Sequence, residues 1–179
     1  GYCNMLFKIL NELEKFKATH LAVIFDHKGK TFRSEIYREY KANRPPPPED
    51  LVPQFDIIRE ATNAFGIISI EKKGFEADDL IATLSKKAND IGAKVTIFSS
   101  DKDLMQLVSE KTLMYDPIKN TYINIDKVKE KFGVSPNKVI EVQSLIGDSV
   151  DNIPGVPGIG VKTASQLISI FNTVENLIE

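Results

Sequence analysis

The stretch Val95-Thr96-Ile97-Phe98-Ser99-Ser100-Asp101-Lys102-Asp103 sets the fold class of this chain. Its first four residues are apolar or β-branched, which is typical of a buried strand, and acidic residues follow at once. A helical pattern at Ala77–Ile91 precedes it, and another β-rich run, Ile67–Ile70, precedes that helix. Strands that alternate with helices predict right-handed crossovers and a parallel sheet covered by helices. We therefore expect an α/β fold.

The alternation continues on both sides of this stretch. Further strands are expected at Leu21–Phe25 and at Thr112–Tyr115 and Thr121–Ile123, the last two flanking a turn at Pro117–Asn120. Apolar periodicity predicts the remaining helices at about residues 4–17, from Phe32 to the prolines, 50–65, Lys102–Val108, 125–132, 136–147, 160–170 and 173–178. The run Pro45–Pro48 ends the helix before it, because proline lacks an amide donor.

Composition limits the class of protein. A length of 179 residues with 42% hydrophobic and 27% charged residues fits one soluble domain, with room for a small appended subdomain. The longest apolar run, Leu21–Phe25, is far too short to cross a bilayer, so we expect no membrane partner. The single cysteine, Cys3, excludes an internal disulfide and fits a cytoplasmic location. We expect a monomer.

The charge is distributed unevenly. The net charge of −2 alone would argue weakly against nucleic-acid binding. However, the segment from residue 28 to 44 is strongly basic, with only Glu35 and Glu39 as acidic residues. Its basic residues are Lys28, Lys30, Arg33, Arg38, Lys41 and Arg44. This segment predicts a surface for a polyanion.

Acidic residues follow the strands, where the functional sites of parallel sheets lie. They are Asp26, Glu76, Asp78, Asp79, Asp101, Asp103, Asp148 and Asp151. Carboxylates that converge repel one another and need cations, and oxygen ligands favour Mg²⁺ or Mn²⁺ over Zn²⁺. Two such ions suit hydrolysis of a phosphodiester, because one activates water and the other stabilises the leaving oxygen.

Each acidic cluster also has a purely structural explanation. Acidic residues in a first helical turn interact favourably with the helix dipole, and Asp103 could act as an N-cap. At helical spacing Glu76 and Asp79 share a face, whereas Asp78 points away from Glu76. Spacing alone therefore leaves open whether these three side chains converge.

A glycine hairpin precedes the helix predicted at 160–170. In Gly155-Val156-Pro157-Gly158-Ile159-Gly160-Val161-Lys162-Thr163-Ala164, small residues would let a phosphate approach the backbone amides at the positive end of the helix dipole. Lys162 would add a charge for the same phosphate. The alternative is a tight turn between helices. The contact would position DNA without reading its sequence.

Four motifs, in this order, resemble those of the 5′-nuclease domains of bacterial DNA polymerase I, within the wider family of flap endonucleases. They are Tyr40-Lys41-x-x-Arg44-Pro45, Glu76-Ala77-Asp78-Asp79, Asp101-Lys102-Asp103 and the run from Gly147-Asp148 to Gly160. The resemblance implies a PIN-like α/β fold in residues 1–124, with a clamp at about 28–48. It also implies a helix–hairpin–helix DNA-binding module in 125–179, two divalent metals, K⁺ at the hairpin, and cleavage of 5′ flaps and 5′ ends of DNA.

The resemblance assigns a role to each matching residue. Asp26, Glu76 and Asp78, with Asp79 nearby, match the ligands of the first metal, and Asp101, Asp103, Asp148 and Asp151 match the second. Arg33, Tyr40, Lys41 and Arg44 match the clamp, where Lys41 and Arg44 would act catalytically on the scissile phosphate and Tyr40 would stack on a base. Gly158, Gly160, Lys162 and Thr163 match the DNA-binding hairpin.

The sequence departs from the family at its two ends. It starts after the family's first strand, whose last Asp is a metal ligand, and it stops within the helical part, so the piece itself is expected to be inactive or marginally stable. The sequence leaves open whether the parent protein continues into a polymerase domain or stands alone. Two alternatives remain. A non-catalytic DNA-structure binder is one, and a haloacid-dehalogenase-type phosphatase, suggested by Val95–Asp103 and Gly147–Asp151, is the other, although it gives Glu76–Asp79 no role.

Overall fold

The computed structural model describes residues 1–179, except for the side chains of residues 14 and 16. The helices are α1 (Tyr2–Phe16), α2 (Phe32–Ile36), α3 (Gln54–Ala64), α4 (Ala77–Asp90), α5 (Ile125–Phe132), α6 (Val139–Ile146), α7 (Val161–Phe171) and α8 (Val174–Ile178). The strands are β1 (Ala22–Ile24), β2 (Ile68–Ile70), β3 (Val95–Phe98), β4 (Thr112–Asp116) and β5 (Thr121–Ile123). Short 3₁₀ helices lie at Asp103–Leu107 and Pro136–Lys138.

The chain divides into two compact units. The first unit contains residues 1–32 and 45–80, and the second contains residues 33–44 and 81–179. In the first unit, β1 and β2 pair in parallel with Ala22 opposite Ile68. Helix α3 packs beside β2 and against α1, where the hydroxyl groups of Tyr2 and Thr62 share a hydrogen bond of 2.6 Å.

The second unit is built on a three-stranded sheet. Strand β3 is parallel to β4, with Val95 opposite Thr112, and β4 turns back into the antiparallel β5. Apolar residues of this sheet and of α5, α6 and α7 form one continuous core. Its fully buried members include Met114, Val128, Val139, Val142 and Ala164. This core fixes the end of β3 and the end of α6, and the four acidic residues predicted as metal ligands in this unit follow these two elements.

The expected α/β class and mostly parallel strands are confirmed. The strands pair as two sheets, one of β1 and β2 and one of β3, β4 and β5. Apart from two helices that are described next, the expected helices are present with small shifts at their ends. The region expected at 136–147 is a 3₁₀ turn followed by α6, and the helix expected at Lys102–Val108 is a 3₁₀ helix.

Two predicted helices were too long. The helix expected from Phe32 to the prolines ends at Ile36, and turns replace it through residue 43. The physical reason is a set of contacts to a distant loop, described below, that holds residues 39–44 in a non-helical path. The helix expected at 50–65 begins only at Gln54, after turns that follow the prolines. None of the described helices is long and apolar enough to cross a membrane.

Candidate metal centre and nucleic-acid interface

Asp26 lies directly after β1 and contacts the start of α4. Its Oδ1 accepts a hydrogen bond of 2.7 Å from the backbone N–H of Ala77, the first residue of α4. Its carbonyl oxygen accepts a bond of 3.0 Å from the guanidinium of Arg59. The carboxylate therefore satisfies one of the unpaired N–H groups that open a helix, and it remains on the exposed side of the unit.

Glu76, Asp78 and Asp79 differ in their surroundings. Glu76 is buried, with 8% of its surface exposed, and accepts a hydrogen bond of 3.2 Å from the hydroxyl of Thr31. Asp79 reaches back so that its Oδ2 accepts the N–H of Glu76 at 3.0 Å, which is half of a capping box. Asp78 is half-buried in the first turn of α4. An ionised carboxylate that is buried costs free energy unless cations or hydrogen-bond donors offset that cost.

Asp101 and Asp103 form a tight turn after β3. The Oδ1 of Asp101 accepts the N–H of Asp103 at 2.9 Å, and Ser99 Oγ accepts the N–H of Asp101 at 3.0 Å. Gln143, on α6, donates a hydrogen bond from Nε2 to Asp103 Oδ1. Burial raises the pKa of Asp103, and the bond from Gln143 opposes that rise only in part. A positive charge nearby would therefore stabilise the ionised form of Asp103.

Asp148 and Asp151 lie on a short loop closed by two hydrogen bonds. The N–H of Asp148 donates to the carbonyl of Ile153 at 2.8 Å, and the N–H of Ile153 donates back at 2.7 Å. Gly147 and Gly155 make this closure possible, because a Cβ on Gly147 would lie 2.3 Å from the nitrogen of Gly155. We call residues 148–152 the acidic loop.

Lys102 is the partner of Asp148, with Nζ 2.7 Å from Oδ2. Burial raises the pKa of Asp148, but the hydrogen bonds from Lys102 and from the N–H of Val150 outweigh it, so the pKa lies below its usual value. The same bond raises the pKa of Lys102. Both side chains of the pair, Lys102 and Asp148, are therefore ionised at neutral pH.

Residues 39–44, which we call the docked segment, lie against the acidic loop. The guanidinium of Arg44 is bonded to Asp151 Oδ1, while Tyr40 Oη donates to Oδ2 at 3.2 Å and Lys41 Nζ lies 3.9 Å from Oδ2. Three of the four residues predicted for the clamp thus meet at one carboxylate, within the second unit. The fourth, Arg33, is half-buried in α2 of the same unit.

The docked segment is also held by neutral bonds. The N–H of Lys41 donates to the carbonyl of Asp151 at 2.9 Å. The amide of Asn43 donates to the carbonyl of Ser149 at 2.9 Å, and that of Asn152 donates to the carbonyl of Glu39 at 2.7 Å. Lys41 adopts a positive φ of 56°, which is unfavourable for a residue with a side chain and persists only where contacts hold it.

The glycine hairpin leads into α7 as expected. Gly158 has a φ of +81°, and a Cβ there would meet no atom of the described residues within 4 Å, so the backbone is open to an approaching group. Gly160 occupies the N-cap position of α7, and Lys162 and Thr163 are exposed in its first turn. An open turn therefore precedes the N-terminus of α7, and the first N–H groups of a helix are able to bind an anion.

The predicted metal ligands divide between the two units. Asp26, Glu76, Asp78 and Asp79 lie in the first unit; Asp101, Asp103, Asp148 and Asp151 lie in the second. Among the described residues, no three acidic, histidine or cysteine side chains converge as a ready metal centre. The donor chemistry nevertheless fits a hard cation, since all the predicted donors are carboxylates.

Four residues that contact the acidic residues or hold the docked segment were not predicted from the sequence. Lys102 had a signal, because it lies between two aspartates in Asp101-Lys102-Asp103. Gln143, Asn43 and Asn152 had none, since each acts on a group distant along the chain or on a backbone carbonyl. They matter because they orient the acidic groups or hold the docked segment.

Replacement of Lys102 by methionine is expected to raise the pKa of Asp148. The change removes the hydrogen bond and charge that lower this pKa, and leaves the burial that raises it. The carboxyl carbon of Asp148, followed by NMR through an acid titration, should titrate at a higher pH than in the wild type. Lys127→Met, which breaks an exposed pair with Glu130 on α5, is the control and should leave Asp148 unchanged. An unchanged titration in Lys102→Met would contradict the assigned pair.

Two family models match the chain. The family described as "5'-3' exonuclease, N-terminal resolvase-like domain" matches residues 1–133, and "5'-3' exonuclease, C-terminal SAM fold" matches residues 134–179. Among curated proteins, DNA polymerase I of Rhizobium leguminosarum is 55% identical over all of this chain, which spans 18% of that protein. A 5′-3′ exonuclease of Aquifex aeolicus is 41% identical over all of this chain, which spans 61% of that protein.

Solved structures share the fold. A bacteriophage T5 protein co-crystallised with metal ions superposes with a TM-score of 0.88 at 27% identity, covering 99% of this chain and 71% of that one. A flap endonuclease of the same phage, in a pseudo-enzyme-product complex with DNA and metal ions, has a TM-score of 0.85 at 25% identity, covering 99% of this chain and 69% of that one.

Proposed function

This chain belongs to the 5′-3′ exonuclease family, and we propose that the protein containing it cleaves DNA as a structure-specific 5′-3′ exonuclease and 5′-flap endonuclease. The observation that carries the proposal is the docking of Tyr40, Lys41 and Arg44 on the acidic loop at Asp151. This docking supports the proposal because groups that would bind a phosphate lie beside a carboxylate that would bind a metal. Phosphodiester hydrolysis requires that combination.

Two divalent cations, Mg²⁺ or Mn²⁺, are part of the proposal. Asp26, Glu76, Asp78 and Asp79 would hold one, and Asp101, Asp103, Asp148 and Asp151 would hold the other. When bound, such ions activate a water molecule and stabilise the leaving oxygen of the phosphodiester. Gln143 keeps Asp103 oriented, and Lys102 keeps Asp148 ionised. The metal ions named in the phage T5 structures support the assignment.

The clamp residues act on the substrate. Lys41 and Arg44 would contact the scissile phosphate and stabilise the charge that develops on it. Tyr40 would stack on a base of the single-stranded 5′ end, and Arg33 would bind the neighbouring backbone. These roles are supported by where the residues lie in the second unit and by the basic composition of this segment.

The glycine hairpin would hold the duplex. Backbone N–H groups near Gly158 and Gly160, with Lys162 and Thr163, would bind phosphates of one strand, and a K⁺ held at the hairpin would add positive charge for the same strand. We propose that residues 125–179 form this DNA-binding module and that residues 1–124 form the catalytic part. The open backbone at Gly158 supports this role.

The wider setting is proposed from the relatives. The chain spans less than a fifth of one DNA polymerase I and about three fifths of one 5′-3′ exonuclease. We propose that the protein removes primers and repairs DNA as a monomer in the cytoplasm, with a polymerase domain linked to it. A second candidate, a non-catalytic binder of DNA structures, is favoured by one observation: Asp148 and Asp151 are already paired with Lys102 and Arg44.

Cleavage of 5′-labelled flap DNA by the full-length protein tests the proposal. We expect cutting near the flap junction with Mg²⁺, with no product in EDTA. A 3′-flap substrate of the same length is the control and should be cut far more slowly. Binding without cutting in Mg²⁺ would favour the non-catalytic candidate, and cutting that persists in EDTA would overturn the role of the metals.

A further inference from the structure

We propose that Asp151 is a shared partner that binds either the clamp cations or a divalent cation, so that the docked segment is released only when metal is bound. The inference rests on the proposed function, because it uses the clamp and metal roles assigned above. It adds an order of events: metal binding comes first, and engagement of the clamp with DNA follows. No family resemblance assigns this contact; it is read from the docked segment itself.

The carboxylate of Asp151 is fully engaged by the clamp. Its Oδ1 is bonded to Arg44, and its Oδ2 receives the hydroxyl of Tyr40 and lies near the ammonium of Lys41. Its side chain is 14% exposed, whereas that of Arg44 is 48% exposed. The positively charged side chains of the clamp can therefore move into solvent more readily than the carboxylate of Asp151 can.

Simultaneous binding of both partners is unfavourable. A divalent cation on either oxygen would stand beside the guanidinium of Arg44 or the ammonium of Lys41, and like charges at that distance repel. Magnesium also demands near-octahedral oxygen ligands at short distances and retains several waters, which leaves little room for a guanidinium on the same carboxylate. Asp151 therefore binds either the charged side chains of the clamp or a divalent metal ion, and not both at once.

Release would make the clamp groups available for a phosphate. While Arg44 and Lys41 are neutralised by Asp151, their charge attracts a DNA backbone less strongly. Once they leave the acidic loop, both can bind a phosphate. An enzyme without metal would therefore hold its clamp docked and would not engage substrate that it cannot cut.

The hydrogen bonds between uncharged groups allow the docking to be tested without removing a charged side chain. The N–H of Lys41 donates to the carbonyl of Asp151, so exchange of this amide with solvent reports directly on docking. Asn43 donates to the carbonyl of Ser149 and makes no contact with the carboxylate of Asp151. Asn43→Ala should weaken the binding of the docked segment to the acidic loop while leaving every proposed metal ligand and phosphate-binding group in place.

The test is hydrogen exchange of the Lys41 amide in the full-length protein, without DNA, in EDTA and in Mg²⁺. We expect exchange to be about tenfold faster or more in Mg²⁺, since docking protects the amide only while it lasts. NaCl at the same ionic strength should not reproduce the increase. Asn43→Ala should exchange fast already in EDTA, and Asp151→Asn should lose the response to Mg²⁺. Lys127→Ala, on the exposed face of α5, should behave as the wild type.

The outcomes separate this inference from the proposed function. Equal protection of Lys41 in EDTA and Mg²⁺, in a protein that cuts flap DNA, overturns the exchange at Asp151 and leaves the nuclease assignment standing. Release by Mg²⁺ in a protein that cuts no substrate supports the exchange and removes the catalytic assignment. Release by NaCl alone identifies ordinary screening of an ion pair and overturns the inference.

Discussion

Replacement of Asp101 by asparagine is expected to lower the rate of flap cleavage by about a thousandfold or more, because metal-based stabilisation of a transition state contributes several kcal/mol. The substitution retains an oxygen at the position that accepts the N–H of Asp103, so the turn after β3 should survive. It removes the negative charge that we assign to a metal. Single-turnover cleavage of flap DNA in saturating Mg²⁺ measures the effect.

The matched control for Asp101→Asn is Asp126→Asn. Asp126 is an exposed residue in the first turn of α5, so the control removes the same charge from the second unit without changing a proposed metal ligand. We expect its cleavage rate to stay within about twofold of the wild type, as for surface changes that leave a site intact. A rate in Asp101→Asn that equals that of the control would remove Asp101 from the metal site.

Substitution of Gly147 by alanine is expected to destabilise the second unit by about 3–5 kcal/mol. Its backbone, at φ 69° and ψ −174°, occupies a region that is essentially restricted to glycine. A Cβ there would also lie 2.3 Å from the nitrogen of Gly155 and 2.6 Å from the carbonyl oxygen of Ile153. The acidic loop would have to open. Urea unfolding, followed by circular dichroism, measures the loss.

Gly158→Ala provides the comparison for Gly147→Ala. Gly158 also has a positive φ, but the added Cβ would meet no atom of the described residues within 4 Å. Only the conformational cost then applies, and we expect a loss of about 1–2 kcal/mol. Equal losses for the two variants would show that the close approach of Gly147 and Gly155 is not what holds the acidic loop.

Much of this fold could be predicted from local sequence. Periodicity located the helices that bury an apolar face, such as α5 and α7, and short β-branched runs located β1, β2 and β3. The failure at residues 37–44 has a specific cause. Their pattern favours a helix, but bonds from Lys41, Asn43 and Arg44 reach residues 149–151, and such tertiary contacts override local propensity.

The same distinction applies to the site. Acidic residues after strands could be predicted, since strand ends are where chemistry gathers in parallel sheets. Their partners could not. Gln143 meets Asp103 only because α6 packs beside the turn that follows β3, and no spacing in the sequence relates these two residues. Nor does composition reveal that Arg44 is bonded to a carboxylate rather than left for a phosphate.

The division of the chain has a practical consequence for dissecting it. The backbone passes from one unit to the other after Phe32, after Arg44 and after Leu80, and the last passage lies inside helix α4. No single cleavage point separates the two units, and a fragment that begins at Ile81 would leave behind residues 33–44, which carry the groups that contact Asp151. Gene fragments split at one codon should therefore be co-expressed as complementing halves, because no single split leaves a whole unit in each half.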